Sequence, residues 1–196
     1  ERLTKERGLE ILKQILEGGV KKIIFAGYAT DPLNCDYIGE LLDLTISNRA
    51  VFGFNTKALK ISDTFLTALK NKKISDGSYI SLSVDAGSNE TYNLIHDVKA
   101  KKVKIYDKVL NNARKLGNIK KENYFDLSAA YLVNINSANL NDYENFINDF
   151  MNAGCNVLRF SFPQPPKDIK TEKGVVPTQE EIDFYISDLN KLKKKI

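Results

Sequence analysis

Tyr79-Ile80-Ser81-Leu82-Ser83-Val84-Asp85 decides how this chain is read. Successive side chains of a strand point to opposite faces, so Ile80, Leu82 and Val84 share one face and Ser81, Ser83 and Asp85 the other. A strand buried in a parallel sheet ordinarily reads apolar on both faces. Three polar side chains on one face therefore need hydrogen-bond partners inside the fold. A polar barrel interior provides them, with or without a ligand.

The same strand-then-helix unit recurs on both sides of this segment. Upstream, Thr4 caps a helix carrying Leu9, Leu12, Ile15 and Leu16, which Gly18-Gly19 ends. The short apolar strand Lys22-Ile23-Ile24-Phe25-Ala26 and a helix with Ile38, Leu41, Leu42 and Leu44 follow. Val51-Phe52-Gly53-Phe54 is a second strand, followed by a helix with Phe65, Leu66 and Leu69. Downstream come a two-part helical stretch (90–116), a strand from Ser128 to Asn136 and a helix from Asn141 to Met151. A strand from Asn156 to Phe162, a Pro-rich loop and a last helix over 179–194 complete the pattern. Strands recur roughly every 28–30 residues, with one gap of about 49, the length of a strand plus a crossover helix.

The expected architecture is α/β: one helix, then five βα units in one domain spanning residues 1–196. The chain opens on Glu1 and runs at once into helix, so a strand is expected before it, giving six βα units when restored. With no sign of a switch in strand order, the expectation is a partial TIM-like barrel lacking its first strand, five parallel strands being present. A doubly wound sheet is the alternative.

Composition narrows the function classes. At 42% hydrophobic and 28% charged residues the chain is an ordinary globular protein. No apolar run reaches the roughly 18 residues of a membrane span and no signal peptide opens it. The net charge of +4 rests on 29 basic residues of which only five are Arg, the usual reader of phosphates and base edges. Spread Lys reads as a solvated surface, not a nucleic-acid footprint. Cys35 and Cys155 are too few for a disulfide scaffold, a zinc site or an iron–sulfur site, and the element order puts them at opposite ends of the fold. This fits a reducing cytoplasm.

Parallel βα folds bind their ligands at the carboxyl ends of the strands. There stand Asn55 and Thr56, Ser83 and Asp85, Asn134 and Asn136, and Arg159 and Ser161. Their convergence predicts a polar small-molecule pocket. In the loop Ala26-Gly27-Tyr28-Ala29-Thr30-Asp31-Pro32, Gly27 lets the backbone turn off the strand, and Asp31 either meets an ammonium group or caps the next helix. His96, the single histidine, has no recognisable nucleophile motif beside it and reads as a structural or loop contact. Dinucleotide, P-loop, zinc-protease and hydrolase motifs are absent. Of the residues a cofactor-free βα-barrel lyase or isomerase would use, Lys or paired carboxylates at strand ends, only Asp85 is well placed.

Taken together, these segments resemble the core domain of radical S-adenosylmethionine (SAM) enzymes. The resemblance rests on Ile80 to Ser88, on Glu90-Thr91-Tyr92-Asn93-Leu94-Ile95-His96 after it, on Phe54-Asn55-Thr56 and on Leu158 to Phe162. The loop Ala26 to Pro32 lies where the family has a GGEP-like turn, here altered and stretched. The resemblance covers residues 3–165. It implies a partial (βα)6 barrel, SAM as cofactor and a [4Fe–4S] cluster held by a CxxxCxxC loop that is not in this chain and is expected upstream of Glu1. It further implies reductive cleavage of SAM to a 5′-deoxyadenosyl radical, an external electron donor, and hydrogen abstraction from an unidentified substrate. As supplied, the chain is expected to be inactive; a non-catalytic SAM-binding or interaction module is the other reading. By this resemblance Ala26, Gly27, Tyr28 and Asp31 orient the methionine ammonium, and Ser83 and Asp85 reach its carboxylate or the ribose. Asn134, Phe160 and Ser161 border the nucleoside, and Asn55, Asn136 and Arg159 are left for substrate.

Overall fold

The computed structural model describes residues 3–27, 30–99, 103–133, 137, 139–163 and 177–193. Its strands are β1 (Lys22–Phe25), β2 (Val51–Thr56), β3 (Tyr79–Ser83), β4 (Asp126–Leu132) and β5 (Val157–Ser161). The helices are α1 (Lys5–Glu17), α2 (Ile38–Ser47), α3 (Asp63–Asn71), α4 (Asn89–Ile95), α5 (Ile105–Lys120), α6 (Leu140–Asn152) and α7 (Gln179–Lys193). A short 3-10 turn, Pro32–Asn34, precedes α2. All five strands are parallel and lie in the order β1-β2-β3-β4-β5. A parallel crossover is right-handed, and repeating it in one direction without a switch puts every helix on the same face. That is the topology of a barrel wall, as expected from the strand spacing, and not of a doubly wound sheet.

Local chemistry explains where the helices begin. Thr4, Ser62, Ser88 and Asn139 each turn a side-chain oxygen onto a backbone N–H of the first turn of α1, α3, α4 and α6. Such a cap satisfies a donor that has no partner within the helix and is worth about 1 kcal/mol.

The two faces of the sheet differ sharply. Phe52, Phe54, Ile80, Leu82, Leu127, Ala129 and Tyr131 are fully buried on the helix-covered face. Phe54 stacks on Phe25 at 4.6 Å and meets Phe65 of α3 edge-on at 5.0 Å. The alternate residues Tyr79, Ser81, Ser83 and Ser128 are half-buried on the inner face, opposite the helix-covered one. Toward the amino ends this face is filled by Tyr79, whose ring lies so close over Gly53 that a Cβ there would stand 2.5 Å from it. Ile24 and Val157, on the two outer strands of the sheet, remain about half exposed on the inner face.

The structure corrects two strands. The one read as Tyr79 to Asp85 ends at Ser83, because Asp85 turns off it with a left-handed backbone. The segment read as Ser128 to Asn136 pairs from Asp126 to Leu132, because Asp126 and Leu127 continue the register with Tyr79 and Ile80. Residues 134–136 lie outside the described residues.

Candidate functional site

At the carboxyl ends of β1, β2 and β3 the inner face opens into a cavity of about 490 Å³, within the size range of small-molecule sites. Ala26, Gly27, Asp31, Asn55 and Ser83, five residues singled out from the sequence, line it together with Lys57.

Its most ordered part is the loop after β1. Asp31 caps the 3-10 turn by accepting from Leu33 N–H at 2.9 Å. The same oxygen accepts from Thr56 Oγ1 at 2.7 Å, and the other carboxylate oxygen from Lys57 N–H at 2.6 Å. Three hydrogen bonds occupy the carboxylate with the protein itself, so the capping role is the one observed. Gly27 is required sterically: a Cβ would stand 1.4 Å from the Thr30 carbonyl oxygen. Thr56 also accepts from Ala58 N–H, and Asn112 of α5 donates to the Ala58 carbonyl, holding Ala58 in a left-handed conformation (φ 50°). This turn presents Lys57 at the cavity.

Asp85 lies beyond the end of β3. The N–H groups of Val84 and Asp85 share the Ala130 carbonyl, each at 3.1 Å, and Asp85 takes up a left-handed backbone (φ 62°). Its carboxylate turns onto β4 and accepts from Leu132 N–H at 2.9 Å. Burial pushes its pKa above the ordinary carboxylate range, while the Leu132 bond and the charges of His96, Lys57 and Arg159 oppose the shift. His96 ends α4, its ring 4.3 Å from that of Tyr92, and its Nε2 is buried without a hydrogen-bond partner among the described residues. Burial, then the Lys57 charge, depresses its pKa, and a hydrogen bond to the Val84 backbone opposes them.

Not every expected residue joins the mouth. Phe160 is the correction: it neighbours Ser161 in β5 and so takes the opposite face, stacked on Tyr131 at 5.4 Å and edge-on to Phe146 at 5.5 Å. Its ring is partly buried and packs against the core, away from the inner face. Arg159 and Ser161 are on the inner face but outside the 490 Å³ cavity, as is Asp85. Tyr28, Asn134 and Asn136 lie outside the described residues.

Two residues went unrecognised in the sequence. Lys57 is one Lys among 24 and sits just past a strand end, where nothing in its neighbours marks it. Asp142 occupies the first turn of α6, an ordinary place for a solvated acid, yet it is 4% exposed. The cysteines stand as expected: both are free, Cys35 after β1 and Cys155 before β5, at opposite ends of the sheet. Among the described residues no group of three His, Cys, Asp or Glu side chains is placed to hold a metal ion. No helix of the structure is long and apolar enough to cross a membrane.

No protein-family model and no curated protein matches the sequence. Solved structures do. SuiB from Streptococcus suis, bound to S-adenosylmethionine, superposes with TM-score 0.65 at 12% identity over 98% of this chain and 42% of that one. The anSMEcpe structure with bound AdoMet gives 0.66 at 15% identity over 97% of this chain and 51% of that one. A radical SAM methyltransferase from Sphaerobacter thermophilus gives 0.55 at 11% identity over 95% of this chain and 53% of that one. The chain thus spans about half, or less, of the length of these proteins. With almost its whole length superposed on them, it has the fold of the partial βα barrel on which radical SAM enzymes are built.

Proposed function

We propose that this chain is the SAM-binding portion of a radical SAM enzyme, with the cofactor lying along the inner face at the carboxyl ends of the strands. One observation carries this reading: in a fold shared with SAM-bound structures, a cavity at those strand ends is lined by Asn55, Thr56, Lys57 and Ser83 beside the Gly27 turn, polar groups that suit the amino-acid end of SAM. The backbone of Ala26 and Gly27, with Tyr28, meets the methionine ammonium. Asp31 holds that loop in place and adds negative charge beside it. Ser83 donates to the methionine carboxylate, and Asp85 accepts from ribose hydroxyls, since a carboxylate repels a carboxylate. Asn134, Ser161 and the Phe160 backbone border the nucleoside. Asn55, Asn136 and Arg159 face the substrate, whose class the fold leaves open.

The residues present do not fit the [4Fe–4S] cluster. Such a cluster needs about three thiolates on one loop, and the two cysteines stand at opposite ends of the sheet. Cluster, electron transfer and hydrogen abstraction are therefore assigned to a longer protein that brings thiolates from outside these 196 residues. A SAM-binding module without radical chemistry is the second reading.

Calorimetric titration of the chain with SAM tests the first claim. Saturable binding, competed by S-adenosylhomocysteine, is expected; no binding at millimolar SAM overturns it. The two readings separate in the longer protein after anaerobic reconstitution with iron and sulfide. Release of 5′-deoxyadenosine on reduction supports the enzyme, and its absence from SAM-loaded protein supports the module.

A further inference from the structure

Asp142 is among the few charged residues buried in the described structure. Its Oδ2 accepts from Gly87 N–H at 2.6 Å and from Tyr131 Oη at 2.6 Å, and its Oδ1 accepts from Thr91 Oγ1 at 2.8 Å. Tyr131 Oη also lies 2.9 Å from the Ser137 carbonyl. None of the ion pairs found among the described residues includes Asp142. Three donors and the amino end of α6 meet its charge instead.

Each donor belongs to a different part of the rim. Gly87 follows Asp85 in the loop after β3, Thr91 seats α4, which ends in His96, and Tyr131 lies near the end of β4. The loop is pressed against α6 so closely that a Cβ on Gly87 would stand 1.8 Å from the Asp142 carbonyl oxygen. Packing α6 onto the sheet is the work of its apolar face, where Tyr143, Phe146, Ile147 and Phe150 are buried. What the carboxylate adds is direction, three bonds at fixed angles to three rim segments.

We propose that Asp142 is a positioning residue for the ligand-binding rim: its buried carboxylate fixes the loop after β3, the first turn of α4 and the end of β4, the segments that carry Asp85 and lead to His96. This rests on reading the mouth as the SAM site. Asn at this position keeps the shape but turns an amide donor toward groups that are themselves donors.

The test compares wild type with Asp142→Asn in three measurements: thermal unfolding, SAM affinity by calorimetry, and the NMR signals of the His96 ring. With one histidine in the chain, those signals are unambiguous. Asp142→Asn is expected to weaken SAM binding about tenfold, the worth of one charge-assisted hydrogen bond, and to move the His96 signals. Asn123→Ala is the control. Asn123 bonds the Leu69 and Lys72 carbonyls and Ile74 N–H near the amino end of β4, so its loss lowers Tm and leaves both other readouts unchanged. A lowered Tm in Asp142→Asn with wild-type affinity and wild-type His96 signals overturns the proposal. Should Asp142→Asn fail to fold, Thr91→Val and Tyr131→Phe each remove one bond to Asp142 and are judged by the same criteria. If wild type does not bind SAM, the functional reading falls and the His96 signals alone decide the positioning role.

Discussion

Asp85 meets two demands at one position. Its backbone is left-handed and its carboxylate ties the end of β3 to Leu132 of β4. Asp and Asn tolerate that backbone where Ala pays roughly 1–2 kcal/mol, and the lost hydrogen bond adds about 1 kcal/mol. Asp85→Ala therefore loses about 2–3 kcal/mol in urea unfolding, and altered SAM affinity in that variant would mix two causes. Asp85→Asn keeps the backbone and an acceptor and isolates the charge; weaker SAM binding by this variant is the expected outcome. Its pH dependence follows from burial. Because the folded pKa is raised, the folded chain takes up this proton at a higher pH than the unfolded chain. The contribution of this group to stability therefore grows as pH falls through that window and shrinks as pH rises. The stability of wild type relative to Asp85→Asn should accordingly fall as pH rises above the ordinary carboxylate range near 4; a difference flat in pH would show that burial leaves the carboxyl unperturbed. At this scale the sequence was readable only in part. Asp31 could be a cap or a ligand, because both uses place an acid before a helix. Lys57 and Asp142 carried no mark at all, since burial and the direction of a side chain past a strand end depend on what packs around them.

The turn leaving β2 shows what elements add. Thr56, Lys57 and Ala58 are held by Asp31 from the preceding loop and by Asn112 from α5, so three separate elements shape one corner of the cavity. Thr56→Val removes the hydroxyl on which two of these bonds depend and leaves the Ala58 N–H buried without a partner. A loss of about 1–3 kcal/mol is expected in urea unfolding, with faster proteolysis at the loop around Lys57. Stability equal to wild type would mean that the corner holds without this hydroxyl. Helix starts, by contrast, were legible. Thr4 caps α1 as its position before the periodic leucines suggested, because a cap needs only its own sequence neighbours. The start of β4 was not, since Asp126 and Leu127 become strand through pairing with Tyr79 and Ile80, a long-range partner that local periodicity does not contain.

For the molecule as a whole, the separation of the cysteines has a direct consequence. Cys155 is buried and its thiol is pushed up to about 12, whereas Cys35 is only half-buried. A maleimide at neutral pH is expected to label Cys35 on the native chain and Cys155 only after denaturation, because the thiolate is the nucleophile. Incubation of this chain with iron and sulfide is expected to give no stoichiometric [4Fe–4S] absorbance; a stable, stoichiometric cluster would refute the assignment of its ligands to residues outside this segment. The βα repeat, the single run of parallel strands and the polar inner face were all determined by the sequence alone. They follow from the alternation of side chains along a strand and the length of a crossover helix, both local periodicities. Which polar residues meet was decided only by the tertiary structure. Phe160 fell into the core, Asp85 turned back onto β4, Lys57 was presented at the cavity and Asp142 was drawn inside. Each outcome depends on contacts between residues far apart in the chain, where a strand end is free to turn its side chains toward whatever partner the neighbouring element supplies.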